Sequence, residues 1–456
     1  MPPPRDMLSP LASARRLLGE VTDPAAYLEV IRQVKYPVGA SIISQTALGF
    51  GLAAVLSRLL GAESFGQYAV VMTIAGIFQL IAAFPVETGT ARFLAEAKDG
   101  RPDEVRDLYS AGLVARLAAS LIALSAAITS SGWLSRAYHL PGFGPEIAIA
   151  AVSVCLLTPL SVFFLSCVQG MERPRRWAVG ALLNALLVFP AGLLAARGFP
   201  TWGHRGLFLL LAASWAGTAV VCALLARGAL GFLRPAGAGR RLRQMVSFVL
   251  PIGIVPIAGF GAHTITKSAL AVKWGPVPVG QFEIALILLG NMGMIYGACM
   301  IVFLPAWARL YGRRAGAELL QSISYARGAL IGVAIVYGAA LALGGQWLVP
   351  AVFGREQSPA VPAARVMGLV MPVMISGWVA STTNVLSGST AIIGRANVVW
   401  FLLVVPIGLL LIPRYGALGA AIAWLCAYLV FACCYIHWAQ PFFRRVEGWG
   451  QGESGE

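Results

Sequence analysis

Four basic side chains lie inside segments of the chain that are otherwise apolar: Arg116, Lys267, Arg327 and Arg365. A charged group inside a bilayer costs about 3 kcal/mol on insertion scales, so its presence suggests a function unless the side chain reaches the headgroups. Ammonium and guanidinium groups bind phosphate oxygens, and a guanidinium can do so through two parallel hydrogen bonds. These residue types therefore predict the binding of an anion, and of a pyrophosphate in particular.

The basic residues differ in their predicted depth. Arg116 lies eight residues into its apolar segment, a depth of about 12 Å in a helix, so we expect it to line a cavity inside the protein. Arg327 and Arg365 lie only a few residues inside their segments, and contact with lipid headgroups is an open alternative for both. Lys267 follows His263 by four residues, which places both side chains on one helical face.

Two further arginines, Arg58 and Arg92, lie at the ends of the first two apolar segments. They fit two roles, either gate residues on a substrate path or topology determinants that anchor the chain in lipid. The substrate-binding residues predicted from the sequence are Arg116, Lys267, Arg365, Arg58, Arg92 and His263.

The acidic residues near these cations lie at the predicted ends of apolar segments. Glu87, Glu146 and Glu283 are examples, and we find no Asp or Glu at the middle of a segment. The sequence therefore predicts buried cations without an opposing carboxylate, an arrangement that attracts anions.

Motifs for other chemistry are missing from the sequence. It contains no GxxxxGK[ST] phosphate loop, no HExxH and no acidic cluster for a metal-dependent glycosyltransferase. The four histidines are scattered, and the seven cysteines lie in apolar segments without ligand spacing. We expect no catalytic residue, metal or cofactor, and hence a transporter rather than an enzyme, with coupling to a proton or sodium gradient left open.

The composition indicates which elements position these residues. Hydrophobic residues make up 58% of the 456 residues and charged residues only 12%, whereas soluble domains carry about 25% charged residues. A chain of this kind uses lipid as solvent, and its long apolar runs favour helices. The net charge of +15 is spread thinly between apolar runs, so membrane topology and anionic lipid explain it better than nucleic acid does.

The predicted fold is all-α, a polytopic membrane protein of about twelve transmembrane helices. Lys and Arg are concentrated in alternate connections, which predicts that both termini are cytoplasmic. The predicted spans are 37–57, 66–86, 108–130, 146–168, 177–196, 206–226, 246–270, 281–304, 323–344, 363–386, 397–412 and 416–437.

The pattern Gly-x4-Gly-Gln-aromatic occurs twice, at residues 61–68 and 275–282. Ordered landmarks at similar offsets predict a duplication, with two pseudo-symmetric six-helix lobes around a central cavity. The additional landmarks are Phe84-Pro85 with Leu304-Pro305, and Gln169-Gly170 with Ser387-Gly388. The predicted organisation is a cytoplasmic N-terminal segment 1–36, an N-lobe 37–227, a basic cytoplasmic linker 228–245, a C-lobe 246–437 and a cytoplasmic C-tail 438–456.

Three segments carry a family resemblance: residues 57–69, residues 169–176, and residues 349–354 followed by 360–365. In this order they resemble the bacterial polysaccharide-precursor flippases of the multidrug/oligosaccharidyl-lipid/polysaccharide exporter superfamily. The resemblance implies a V-shaped pair of lobes that works by alternating access in the bacterial cytoplasmic (inner) membrane. The implied substrate is an oligosaccharide on a polyprenyl pyrophosphate, moved from the inner to the outer leaflet. Implied partners are membrane lipids and, in addition, a glycan polymerase and chain-length proteins.

The chain differs from one branch of the superfamily in two features. The lipid II branch usually has fourteen spans and a charged pair in its first span, where this chain has Leu52-Ala53. We therefore expect an O-antigen, capsule or exopolysaccharide unit rather than lipid II. A multidrug or metabolite exporter of the same fold is the alternative, although cation-exporting relatives usually need a buried acid. A membrane glycan polymerase is a third possibility, which the short outer connections disfavour.

Overall fold

The computed structural model describes residues 39–44, 46–82, 84–97, 102–230, 245, 253–387 and 390–449. The predicted N-terminal segment 1–36 and most of the predicted linker 228–245 lie outside these residues. Within them the chain is helical and contains no strand, which confirms the all-α fold class.

The helices follow one another along the chain with short connections, except between residues 230 and 254, where most of the chain lies outside the described residues. Two π-helical turns, Thr46–Gly51 and Val152–Leu157, and a 3₁₀ turn, Arg355–Ala360, accompany them. The helices are α1 Leu52–Ala82, α2 Val86–Ala97, α3 Pro102–Ala137, α4 Gly144–Ala151, α5 Thr158–Gly170, α6 Pro174–Arg197, α7 Phe199–Leu230, α8 Ile254–Trp274, α9 Pro276–Gly312, α10 Gly316–Phe353, α11 Val361–Leu386 and α12 Thr390–Gly448.

The chain is a multi-pass membrane protein. Nine helical stretches among the described residues are long and apolar enough to cross a membrane. Two of them, Gly39–Ala82 and Ala391–Gly448, each hold two helices that meet at a glycine outside helical geometry, Gly61 and Gly416 respectively. The predicted number of twelve spans therefore stays a prediction.

The turns reveal the internal repeat. Six glycines in the described part of the chain have positive φ, a conformation that costs glycine little and other residues more. They fall into three pairs separated by 212 to 214 residues, which supports the predicted duplication. The pairs are Gly61 with Gly275, Gly142 with Gly354, and Gly203 with Gly416.

One predicted landmark of the repeat is wrong. Helix α1 ends at Ala82 and α2 begins at Val86, so the chain leaves the helix around Phe84-Pro85. Helix α9 continues without interruption through Leu304-Pro305. With the offset of 214 seen at the turns, residue 85 corresponds to residue 299 and not to 305.

The two copies of the glycine motif pack directly against each other, where α1 contacts α8 and α9. A Cβ atom added to Gly66 would lie 2.5 Å from the carbonyl oxygen of Pro276, and one added to Gly280 would lie 3.1 Å from the Gly66 Cα. Because such distances leave no room for a side chain, the two motifs set the spacing between the halves.

Up-and-down topology brings the six positive-φ glycines to one end of the bundle, which we call the glycine end. Among the described residues, four hydrogen bonds join the two halves near this end. They are Ser57 Oγ to the Phe353 oxygen (3.1 Å), Ala62 N–H to Glu356 Oε2 (3.0 Å), Tyr138 OH to Ser268 Oγ (2.8 Å) and His139 Nε2 to the Val272 oxygen (3.1 Å).

Candidate functional site

Arg116 lies on α3 with its side chain 1% exposed. Its guanidinium donates to the carbonyl oxygens of Ala82 and Phe84, the latter at 2.9 Å, and forms an ion pair with Glu87. The two carbonyls belong to the end of α1 and the chain just beyond it, and Glu87 lies in the first turn of α2. Arg116 therefore bridges the end of one helix and the start of the next.

For Arg116, the predicted absence of an opposing carboxylate is wrong. The physical reason is the break between α1 and α2, which turns Glu87 toward α3 and leaves helix-end carbonyls that need donors. The sequence carries a weak signal for this break, because Pro85 lacks an N–H for the helix and disfavours helical geometry at the residue before it, although α9 runs through Pro305 without a break. Headgroup binding by Arg116 stays a prediction.

Lys267 is also paired with a carboxylate. Its Nζ lies 2.8 Å from Glu283 Oε2, and the two side chains are 14% and 27% exposed. Lys267 precedes Gly275 by eight residues and Glu283 follows it by eight, so the two side chains face each other across the α8–α9 hairpin. The expectation of an unopposed cation is therefore wrong here too. The lack of a buried acid no longer argues against a multidrug antiporter.

His263 lies one helical turn from Lys267 on α8. Its ring is 4.5 Å from the ring of Trp424 in an edge-to-face contact. Ser268, the residue after Lys267, accepts a hydrogen bond from Tyr138 of the first half. We call Lys267, Glu283 and His263 the interface cluster.

The remaining predicted site residues do not join the interface cluster. Arg58 is exposed and lies against Gly354 at the glycine end. Arg365 donates to Gln346 Oε1 at 3.4 Å between α11 and α10 near the same end. Arg92 is exposed on α2, toward the opposite end of the bundle.

Two further observations bear on the chemistry of the site. Arg327 is exposed on α10, a placement that suits contact with a headgroup. Within the described ranges, no group of three or more His, Cys, Asp or Glu side chains is arranged to hold a metal ion.

Comparison with known proteins gives both a family and a fold. The profile of a family described as "Polysaccharide biosynthesis protein" matches residues 38–311. An inward-facing multidrug resistance MATE family transporter of the MOP superfamily superposes with a TM-score of 0.71 at 15% identity, covering 90% of this chain and 99% of that one. The lipid II flippase MurJ, in an inward closed conformation, gives 0.68 at 10% identity, covering 89% and 88%.

A MOP superfamily transporter from Pyrococcus furiosus gives a TM-score of 0.61 at 13% identity, covering 92% of this chain and 97% of that one. No curated protein sequence matches this chain significantly. At such identities the likeness concerns the fold alone, and that fold is the one shared by MATE and MurJ transporters.

Proposed function

We propose that this chain, which belongs to the polysaccharide biosynthesis protein family, is a flippase for polyprenyl-pyrophosphate-linked oligosaccharide. The cargo is an O-antigen, capsule or exopolysaccharide repeat unit, and it moves from the inner to the outer leaflet of the bacterial cytoplasmic membrane. The family description supports a glycan product, and the fold supports transport. Glycan polymerase and chain-length proteins are the partners this assignment implies.

The observation that carries the proposal is a cation where the two halves meet. Lys267 keeps part of its surface accessible, and His263 lies one turn away on the same helix. An ammonium group in a low-dielectric setting binds phosphate oxygens strongly. In our proposal the pyrophosphate binds here, the polyprenyl tail stays in the bilayer, and the glycan crosses between the halves.

The contacts at the glycine end suggest how access alternates. Hydrogen bonds between the halves close this end, which the distribution of Lys and Arg predicts to face away from the cytoplasm. We infer that this conformation receives cargo from the cytoplasmic side, with both termini cytoplasmic. Breaking those hydrogen bonds while the opposite end closes would release cargo outward, in a rocking motion of the two halves.

The other basic residues have secondary roles in this scheme. Arg58 at the glycine end and Arg92 at the opposite end suit gates, and Arg365 supplies positive charge near the exit. Arg116 can contact a headgroup only after it separates from Glu87, because its guanidinium already faces three acceptors. Coupling to a proton or sodium gradient is a separate expectation of the scheme.

A second candidate is a drug or metabolite exporter of the same fold. The partly exposed carboxylates of Glu87 and Glu283 favour it, because such groups can exchange protons or sodium for a cationic drug. The family match favours the glycan.

Depletion of the protein in its native host tests the proposal. We expect lipid-linked oligosaccharide to accumulate on the cytoplasmic face after depletion. At equal protein levels, wild-type protein should relieve this accumulation and Lys267→Ala should not. Lys273→Ala, at the exposed end of the same helix, is the matched control and should rescue fully. Unchanged precursor levels together with new drug sensitivity would instead support the exporter.

A further inference from the structure

The Lys267–Glu283 ion pair has no counterpart at the equivalent positions of the first half. At the offset of 214, the equivalent residues of the first half are Ala53 and Ala69, and the equivalent hairpin forms with them. Replacing a poorly solvated ion pair by apolar residues is often neutral or stabilising. Unlike Arg116–Glu87, this pair joins two unbroken helices, so the path of the backbone does not account for it and a role in binding is open.

The pair lies on the surface through which the halves meet. Ser268, the residue after Lys267, accepts a hydrogen bond from Tyr138 of the first half. One turn earlier, Thr264 Oγ1 is 3.7 Å from the position of a Cβ on Gly76. A cargo that passes between the halves passes the pair.

A lone ammonium group at this position would face a competitor. Anionic phospholipids such as phosphatidylglycerol carry a single negative charge and are present throughout the cytoplasmic leaflet. An unpaired cation beside the bilayer attracts their headgroups. A resident carboxylate removes this attraction, because a singly charged headgroup gains little by replacing another single negative charge.

We propose that Glu283 is an internal counter-ion that a diphosphate headgroup displaces from Lys267 and a monoanionic phospholipid does not. The inference rests on the proposed function and makes Glu283 a specificity-determining residue for it. The two linked phosphate groups of the cargo offer twice the charge and more acceptor oxygens, and an ammonium has three donors to share among them. Only such a headgroup competes successfully with the carboxylate.

Binding of farnesyl diphosphate to the purified full chain in detergent tests the inference, with phosphatidylglycerol as competitor. We expect wild type to bind the diphosphate with little competition. Glu283→Gln should bind it about tenfold more tightly, or about 1.4 kcal/mol, and should now be inhibited by phosphatidylglycerol. Glu283→Asp, which keeps the charge, should retain the wild-type selectivity.

Glu146→Gln is the matched control, because Glu146 pairs with Arg205 at 3.4 Å inside the first half. It should bind like wild type. If Glu283→Gln does not yield folded protein, Glu283→Ala carries the same test, since it copies Ala69 of the first half.

The outcomes separate the two claims. Equal affinity and equal competition in wild type and Glu283→Gln, with binding lost in Lys267→Gln, would overturn the counter-ion role and leave the proposed function standing. Absence of diphosphate binding in wild type and in every Glu283 variant would overturn the proposed function itself.

Discussion

The second span of the first half and its counterpart in the second half take different paths. Helix α1 ends at Ala82 and the chain restarts as α2, whereas α9 runs unbroken from Pro276 to Gly312. The break is accompanied by the Arg116–Glu87 ion pair. At the offset of 214, the corresponding residues of the second half are Leu330 and Ile301.

The second half has its own ion pair where the first half has none. Lys267 and Glu283 join two unbroken helices, and their equivalents are Ala53 and Ala69. Each of these two pairs thus occupies positions where the other half has apolar residues and folds without the pair.

The difference between the two pairs shows that the partners of a buried cation, and not its burial alone, indicate its role. The acceptors of Arg116 all arise from the local break in the helix, so the path of the backbone explains the residue. No such break accounts for Lys267. Burial alone ranks Arg116 first, but the partners of the two side chains make Lys267 the better candidate for cargo binding.

Arg116→Leu, which installs the residue of the second half, should have the largest effect. It leaves the Glu87 carboxylate and two helix-end carbonyls without their donor, a loss of about 3–5 kcal/mol for a broken buried pair. Thermal or denaturant unfolding in detergent measures it. Arg327→Leu on α10 is the matched control and should unfold like wild type, because its side chain is exposed.

A second substitution sharpens this test. Adding Glu87→Ile to Arg116→Leu removes the stranded carboxylate and should recover part of the lost stability. An Arg116→Leu protein as stable as wild type would show that the pair does not stabilise the break between α1 and α2. Arg116 would then again be a candidate for headgroup binding.

Glu356→Ala should have a smaller effect, confined to the contact between the halves. The Glu356 carboxylate accepts the first N–H of the helix after Gly61, where helix-end charge is worth about 0.3–1 kcal/mol at an exposed site. Gly144, its equivalent at an offset of 212, offers no carboxylate. We expect a two- to fivefold larger open population, measured by distances between spin labels at Arg136 and Lys273.

Glu63→Gln is the matched control for that measurement. Glu63 is exposed at the same turn, next to Ala62, and should leave the distance distribution unchanged. An unchanged distribution in Glu356→Ala as well would show that this hydrogen bond does not hold the glycine end, which then depends on the other three hydrogen bonds and on the packing of the motifs.

The sequence predicts the helical membrane fold, the repeat and one pair of turn glycines, Gly61 with Gly275, because apolar runs and glycines are local signals. It does not predict the partners of the cations, because these depend on where a helix breaks and which helices face each other. Even so, the equal spacing of Lys267 and Glu283 about Gly275 was visible in the sequence. The number of spans stays a prediction, since two of the nine long apolar stretches among the described residues each hold two helices, which meet at Gly61 and at Gly416.

The double substitution Lys267→Ala with Glu283→Ala should have the smallest effect on stability, close to zero. It gives the second half the residues that the first half already folds with, and it strands no charge. The same protein should fail to rescue the accumulation of lipid-linked oligosaccharide, since it lacks the cation for the headgroup. A strong loss of stability measured by unfolding in detergent would show that this pair, like Arg116–Glu87, stabilises the fold. The contrast between the halves would then no longer identify the binding residue.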